Sequence, residues 1–218
     1  MIFVDTHTFV PLFINVKDLS VLIIGGGKVG TKRALSFAAH DAKVTVVSLS
    51  FSEDLIKNKD KILLVKEDAK NLSEEFLSKF DIIITATNDK ELNSKLCELA
   101  KKLRKLCNNP TAPEESNFIV PIYYSDDKLS IAITTFGKSS LTSKYILQLI
   151  QKEILTKEVY ELIEAMANVK DLLKHSIANP SERFPYYSKI FNDEIFRNYV
   201  KEGKLELALE RAKAIVNE

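Results

Sequence analysis

Ten consecutive residues constrain this chain more than any others: Val21-Leu22-Ile23-Ile24-Gly25-Gly26-Gly27-Lys28-Val29-Gly30. A wholly apolar run rich in β-branched residues enters a glycine loop, and a helical pattern leaves it. Four of the chain's six glycines lie in this stretch, with Gly25, Gly27 and Gly30 at G-x-G-x-x-G spacing. The three serve distinct physical ends, namely a tight strand-to-helix turn, backbone close enough to touch a pyrophosphate, and close packing of helix on strand. The helix expected over residues 28–39 aims its unpaired N–H groups and positive dipole end at such a group. A plain structural turn has the same glycines. The dinucleotide reading rests on context, a strand before, a helix after, and a repeating β/α pattern that begins here.

That pattern continues with strand-like runs at residues 43–47, 62–65, 81–85 and, shorter, 106–108. Helical patterns lie between them at about 52–57, 72–79 and 90–105. Strands that are apolar throughout and alternate with helices predict a parallel sheet covered on both faces. Right-handed crossovers then put the glycine loop at the carboxyl edge, where ligands bind in such sheets. Ahead of the loop, Phe9–Ile14 is apolar, but Pro11 argues against a central strand. After the fifth strand comes a turn-rich joint, Asn108-Asn109-Pro110-Thr111-Ala112-Pro113, with no periodicity. Two β-rich runs, 119–124 and 129–135, then flank the polar turn Ser125-Asp126-Asp127-Lys128 and predict an antiparallel hairpin. From about Leu141 the chain is helical in pattern. Leu155, Val159, Leu162, Ile163, Met166, Val169 and Leu173 share one face, Asn179-Pro180 breaks the run, and an amphipathic helix follows Gly203.

A formal net charge of +1 offers no electrostatic case for nucleic acid or an acidic membrane surface. No apolar run reaches the roughly 20 residues of a membrane helix, and no secretory signal pattern opens the chain. A cytoplasmic location is the default expectation. The two cysteines, Cys97 and Cys107, make neither a disulfide framework nor a C-x-x-C zinc pair and read as buried thiols. No metal site is expected. His7, His40 and His175 share no ligand spacing.

The second strand ends Val46-Val47-Ser48-Leu49-Ser50, with no carboxylate before Glu53. Ser48 is placed to hydrogen-bond a ribose hydroxyl but is no charge gate, so NAD and NADP both stay open. Thr85, Ala86, Thr87 and Asn88 follow the fourth strand at the same edge and are expected to line the cofactor's far half, while Asn88-Asp89 also suits a helix cap. The basic run Lys101, Lys102, Arg104 and Lys105 suits a solvated helix C-terminus. At Thr134-Thr135-Phe136-Gly137-Lys138-Ser139-Ser140 a strand meets a helix through a loop that suits an anion or an ordinary N-cap.

Read together, these residues resemble the precorrin-2 dehydrogenase/sirohydrochlorin ferrochelatase family, the siroheme synthases. The resemblance runs through Pro11-Leu12-Phe13, Val21–Gly27 with Val29 and Lys32-Arg33, residues 42–47, Ala86-Thr87-Asn88-Asp89 with Asn93, and Cys107-Asn108. Phe118-Ile119-Val120-Pro121 and residues 129–135 complete it, so it spans about residues 9–150. It implies a Rossmann-like NAD-binding domain over 1–112, a small β-rich dimerisation region over 113–148 and a helical domain over 149–218, assembled as a homodimer. The implied reaction is NAD-dependent oxidation of precorrin-2 to sirohydrochlorin. Gly25, Gly26, Gly27, Lys28, Val29, Gly30, Ser48, Thr85, Ala86, Thr87 and Asn88 form the expected cofactor set. Asn108, Lys138, Ser139 and Lys144 are the expected contacts to the substrate's carboxylates.

The chain departs from the family pattern where it bears on chemistry. Thr111 stands where the family places an aspartate thought central to catalysis, and threonine is no carboxylate base or comparable metal ligand. Phe136 replaces a glycine, Ser140 a proline and Lys144 an arginine, the last losing a bidentate fork. Ferrochelation is therefore expected to be weak or absent. Glu114, Glu115, Asp126 and Asp127 are nearby carboxylates that solvent exposure explains equally well. The alternative to a dehydrogenase is a protein that holds a dinucleotide or tetrapyrrole without turning it over.

Overall fold

The computed structural model describes residues 8–218. His7 lies outside them. The apolar runs form five strands, β1 (Ser20–Ile24), β2 (Lys43–Ser48), β3 (Ile62–Lys66), β4 (Ile82–Thr85) and β5 (Leu106–Asn108). They pair in the order β3-β2-β1-β4-β5, all parallel, with Val21 opposite Val44 on one side and Ile82 on the other. Helices α1 (Lys28–Ala38), α2 (Glu53–Lys57), α3 (Glu74–Ser78) and α4 (Lys90–Lys102) connect them.

Both faces of the sheet are covered, which is why β1 carries no polar alternation. Leu22, Ile24 and Ile83 pack with Leu77, Leu96 and Cys97 of α3 and α4, while Val21, Ile23, Ile82 and Ile84 pack with Ala34 and Leu55 of α1 and α2. At about 25 cal/mol per Å² of apolar area, each fully buried Leu or Ile here stabilises by roughly 1.5–3 kcal/mol before entropy is counted.

Helix α4 ends three residues before the expected point. Arg104 takes a left-handed φ of 57°, the Lys105 N–H donates to Ala100 O at 2.9 Å, and the Arg104 N–H donates to Lys101 O at 2.9 Å. This is a Schellman termination with arginine in the glycine position. The two cysteines, expected as free thiols, are joined as a disulfide. Cys97 on α4 and Cys107 on β5 are both fully buried, with Cα atoms 5.5 Å apart. Helix-on-sheet packing brings them together across a sequence gap that carries no cue.

Backbone contacts divide the chain into two compact units. The first runs to Pro121 and includes Phe136–Lys138; the second comprises Ile122–Thr135 and Ser139–Glu218. The second opens with the hairpin β6 (Ile122–Ser125) and β7 (Ser130–Ile133), Tyr124 facing Ile131. The first strand starts later than the expected 119 because Pro121 has no N–H to donate. Asp126 closes the turn: its carboxylate accepts from Lys128 N–H and Leu129 N–H at 2.9 Å, Tyr124 Oη at 2.8 Å and Tyr160 Oη at 2.7 Å. Those donors, Leu129 N–H first, hold the carboxyl well below the usual carboxylate range.

Five helices follow: α5 (Ser140–Leu149), extended by a π-turn at Ile150–Ile154, α6 (Lys157–Ser176), α7 (Pro180–Phe191), α8 (Glu194–Lys201) and α9 (Leu205–Asn217). Asn179 caps α7 by accepting from Ser181 N–H, with Pro180 in the first helical position, where its missing N–H costs nothing. Val169 and Leu173 from the expected apolar face are fully buried against Ile190, Phe196, Ala208 and Ile215.

Candidate functional site

Strand order reverses beside β1, which pairs with β2 on one side and with β4, three strands later in the chain, on the other. A crevice opens outside the carboxyl ends of two strands at such a point. The glycine loop sits there. The Gly25 N–H donates to Val47 O at 2.8 Å and the Ala86 N–H to Ile24 O at 2.7 Å, tying β1, β2 and β4 at that edge.

The four glycines are there for different reasons. Gly25 has φ 117°, and a Cβ on it would run into the Ala86 carbonyl. On Gly26 a Cβ would meet the Ser50 carbonyl, and on Gly30 the Gly25 carbonyl. Gly27 differs: its φ of −77° and ψ of −172° suit any residue, and a Cβ there meets nothing within 4 Å. The fold needs the other three; at Gly27 the space is kept open.

That space lies at the N-terminus of α1. Gly27 is the N-cap, no side chain caps the helix, and its first turn holds no acid. The other three helices of the sheet are capped, α2 by Ser52, α3 by Ser73 and α4 by Asp89. An uncapped 11-residue helix with a cleared approach presents N–H donors to an anion. A dinucleotide pyrophosphate fits this cradle. Lys28 and Val29 are exposed beside it, Val29 by 47%, while Thr31 is buried and bonds Gly26 O at 3.3 Å and Ser52 Oγ at 2.8 Å. Ser48 Oγ lies 3.1 Å from where a Gly26 Cβ would stand and accepts from the Ser50 N–H at 3.4 Å, so its hydroxyl overlooks the loop.

Across the crevice, Thr85 is fully buried and its hydroxyl has no partner among the described residues. Asp89, as the capping reading expected, accepts from Leu92 N–H at 3.0 Å, and Asn88 is exposed. Thr87 is engaged at its N–H, hydroxyl and carbonyl by Asn93, a fully buried residue absent from the expected site set, and its hydroxyl also bonds the Asp89 backbone at 3.1 Å. The Asn93 Oδ1 accepts from Thr87 N–H at 3.1 Å and Thr87 Oγ1 at 2.6 Å, and its Nδ2 donates to Thr87 O at 3.0 Å.

The same Nδ2 reaches Thr111 Oγ1 at 3.4 Å, and Thr111 Oγ1 donates to Asn109 Oδ1 at 2.7 Å. Asn109 in turn donates to Glu115 Oε2 at 2.8 Å. Asn108, at the end of β5, is buried and donates to Phe118 O at 3.2 Å. Its Oδ1 has no partner among the described residues.

Lys138 lies in the first unit's short second segment and is exposed. In the second unit Ser139 caps α5 by accepting from Thr142 N–H at 3.1 Å, and Lys144 is exposed on that helix. His40 and His175 each bond a carbonyl one turn back, Ser36 O and Asp171 O.

A family model described as "Putative NAD(P)-binding" matches residues 12–122. A "Putative precorrin-2 dehydrogenase" of Methanocaldococcus jannaschii is 32% identical, over 88% of this chain and 94% of that protein. A precorrin-2 dehydrogenase of Methanosarcina barkeri is 29% identical, over 97% and 95%. Among solved structures, "SirC, precorrin-2 dehydrogenase" superposes with a TM-score of 0.69 at 25% identity, covering 94% of this chain and 100% of that one.

Proposed function

The chain belongs to the precorrin-2 dehydrogenase family, and from that membership we propose that it oxidises precorrin-2 to sirohydrochlorin with NAD, a step of siroheme biosynthesis. The observation that carries the reading is the open ground at Gly27 before an uncapped helix: a loop in which one glycine of four serves a ligand and not the fold.

NAD, when bound, supplies the two-electron oxidant. The protein's own part is to hold and aim. Backbone N–H groups at the start of α1 take the pyrophosphate, Ser48 stands at the ribose side, and the Ala86–Asn88 edge flanks the other half. Asn108, Lys138, Ser139 and Lys144 are the proposed contacts to the substrate's carboxylates. Oxidation at a held cofactor relies on positioning more than on one strong acid or base. Thr111, whose hydroxyl is spent on Asn109, suits that division of labour and gives iron insertion no carboxylate.

In this reading the protein is a cytoplasmic homodimer with no nucleic-acid or membrane partner, divided as 1–112 for NAD, 113–148 for dimerisation and 149–218 as a helical domain. Support for the dimer comes from α5, whose Leu141, Tyr145 and Leu149 stand one turn apart and are 79%, 61% and 40% exposed. Among the described residues no helix is long and apolar enough to cross a membrane.

The test is NADH formation by the purified chain given precorrin-2 and NAD without metal, followed by ferrous iron. NADH without the siroheme spectrum is the expected result. Bound NAD with no NADH formed means a protein that holds its ligand without turnover; siroheme formation means that Thr111 suffices for chelation.

A further inference from the structure

We propose that Asn93 is a positioning residue that sets two loops of the site at once, the cofactor edge after β4 and the loop after β5. Its carboxamide is fully buried and all its bonds go to residues of those loops. Two Thr87 donors reach Oδ1, and Nδ2 divides between Thr87 O and Thr111 Oγ1. Thr87 follows Ala86, whose carbonyl lies against Gly25, so fixing Thr87 fixes the wall that the glycine loop faces. Through Thr111 the same amide reaches Asn109 and, from there, Glu115, which order the chain where it leaves β5. Both loops stand at the carboxyl edge of the sheet, on neighbouring strands.

An amide suits this role because it presents acceptor and donor positions in one plane. Aspartate keeps only the acceptors and alanine keeps neither. The bonds are buried, so losing one leaves polar groups that water does not readily satisfy. The loops then relax from the arrangement that brings the reacting atoms together, and misplacement on the ångström scale costs rate more than affinity. The Thr111 link is the longer one. Cutting it unties the β5 loop from Asn93 while Thr87 stays held and the loop keeps its Asn109 bonds to Ser116 and Glu115.

This inference deepens the functional reading above, and its test keeps the two apart. The first arm needs no substrate: NADH affinity followed by fluorescence titration. Asn93→Ala is expected to weaken it about tenfold and Thr111→Val to leave it within about twofold, since only the former releases the wall against Gly25. The second arm is turnover of precorrin-2. There kcat is expected to fall at least about tenfold in Asn93→Ala and about fivefold in Thr111→Val, with KM for NAD unchanged in the latter and kcat restored by Thr111→Ser. Because the two residues act through one link, the double variant is expected to be no slower than Asn93→Ala alone. Losses that multiply in the double variant, or a folded Asn93→Ala with unchanged NADH affinity, overturn the proposal. Should Asn93→Ala fail to fold, the Thr111→Val and Thr111→Ser pair decides: an unchanged kcat in Thr111→Val overturns it, and a drop that serine rescues supports it. A wild-type chain that forms no NADH overturns the functional reading, while the NADH-affinity arm still decides the role of Asn93.

Discussion

At the scale of single residues, Gly27 and Gly30 separate ligand from fold. Gly27→Asp places a side chain in space that no protein atom occupies and a negative charge at a helix N-terminus, which that dipole favours. The variant is expected to melt within a few degrees of the parent yet bind NADH at least about a hundredfold more weakly, some 3 kcal/mol, because carboxylate and pyrophosphate compete for one place. Gly30→Ala drives a methyl group into the Gly25 carbonyl and is expected to cost about 3 kcal/mol of stability or more. Calorimetry and fluorescence titration on both variants check the pair. Loss of folding in Gly27→Asp, or unchanged NADH affinity, contradicts the assignment. The geometry behind these two expectations was legible because it is local: the open helix N-terminus at Gly27 and the contact of Gly30 with the Gly25 carbonyl both lie within the ten-residue stretch, whereas the Ala86 and Ser50 carbonyls that constrain Gly25 and Gly26 do not. The amide of Asn93 was not. Its partners Thr87 and Thr111 lie 6 and 18 positions away, on opposite sides of it in the chain. Only the pairing of β4 with β5 brings them to one side chain.

Among the elements, the strands of the parallel sheet were legible from their apolar runs; β1 and β4, buried on both faces, leave no room for another pattern, while the edge strand β3 keeps an apolar run although its Leu63 is 63% exposed. Element ends were less so. Arg104 in a left-handed conformation and Pro121 without an N–H decide two boundaries through the backbone, which apolar periodicity does not register. The junction of α8 and α9 is likewise a long-range result. Asp193 caps α8 through Phe196 N–H at 2.8 Å and meets Arg211 of α9 at 2.7 Å, with 16% and 27% of the two side chains exposed. The Arg211 guanidinium beside it holds the Asp193 carboxyl below its ordinary value. A carboxyl depressed in the folded state contributes its full stability above the unfolded value, near 3.9, and loses it as pH falls through the folded value. Asp193→Ala is therefore expected to cost about 2 kcal/mol at pH 7, from the lost cap and the stranded arginine together. Melting curves of parent and variant are expected to converge in acid, once pH has fallen through the lowered folded-state value of the Asp193 carboxyl. A gap that persists undiminished in acid would assign the loss to packing.

For the whole molecule, a formal net charge of +1 offered no electrostatic case for a nucleic-acid partner, but it said nothing about which surfaces are spare. The second unit answers part of that question. Its core closes around Val169, Leu173, Ile190, Phe196 and Ile215, yet α5 turns Leu141, Tyr145 and Leu149 outward along one face, followed by Ile154 at 58% exposure. Apolar side chains repeating at one-turn spacing on an exposed helix are costly in water unless something covers them, and a second copy related by a two-fold axis presents the same face. In the proposed dimer, Leu141→Asp with Tyr145→Asp puts like charges on both sides of such an interface and is expected to shift the molar mass from dimer to monomer by light scattering at micromolar concentration. Neither residue belongs to the core, so helix content is expected to hold. The glycine loop lies in the other compact unit, so NADH binding is expected to stay within about twofold of the parent while the dimer is lost. A dimer that survives both substitutions would move the interface off α5, and NADH affinity lost together with the dimer would show that the partner copy supports the cofactor crevice.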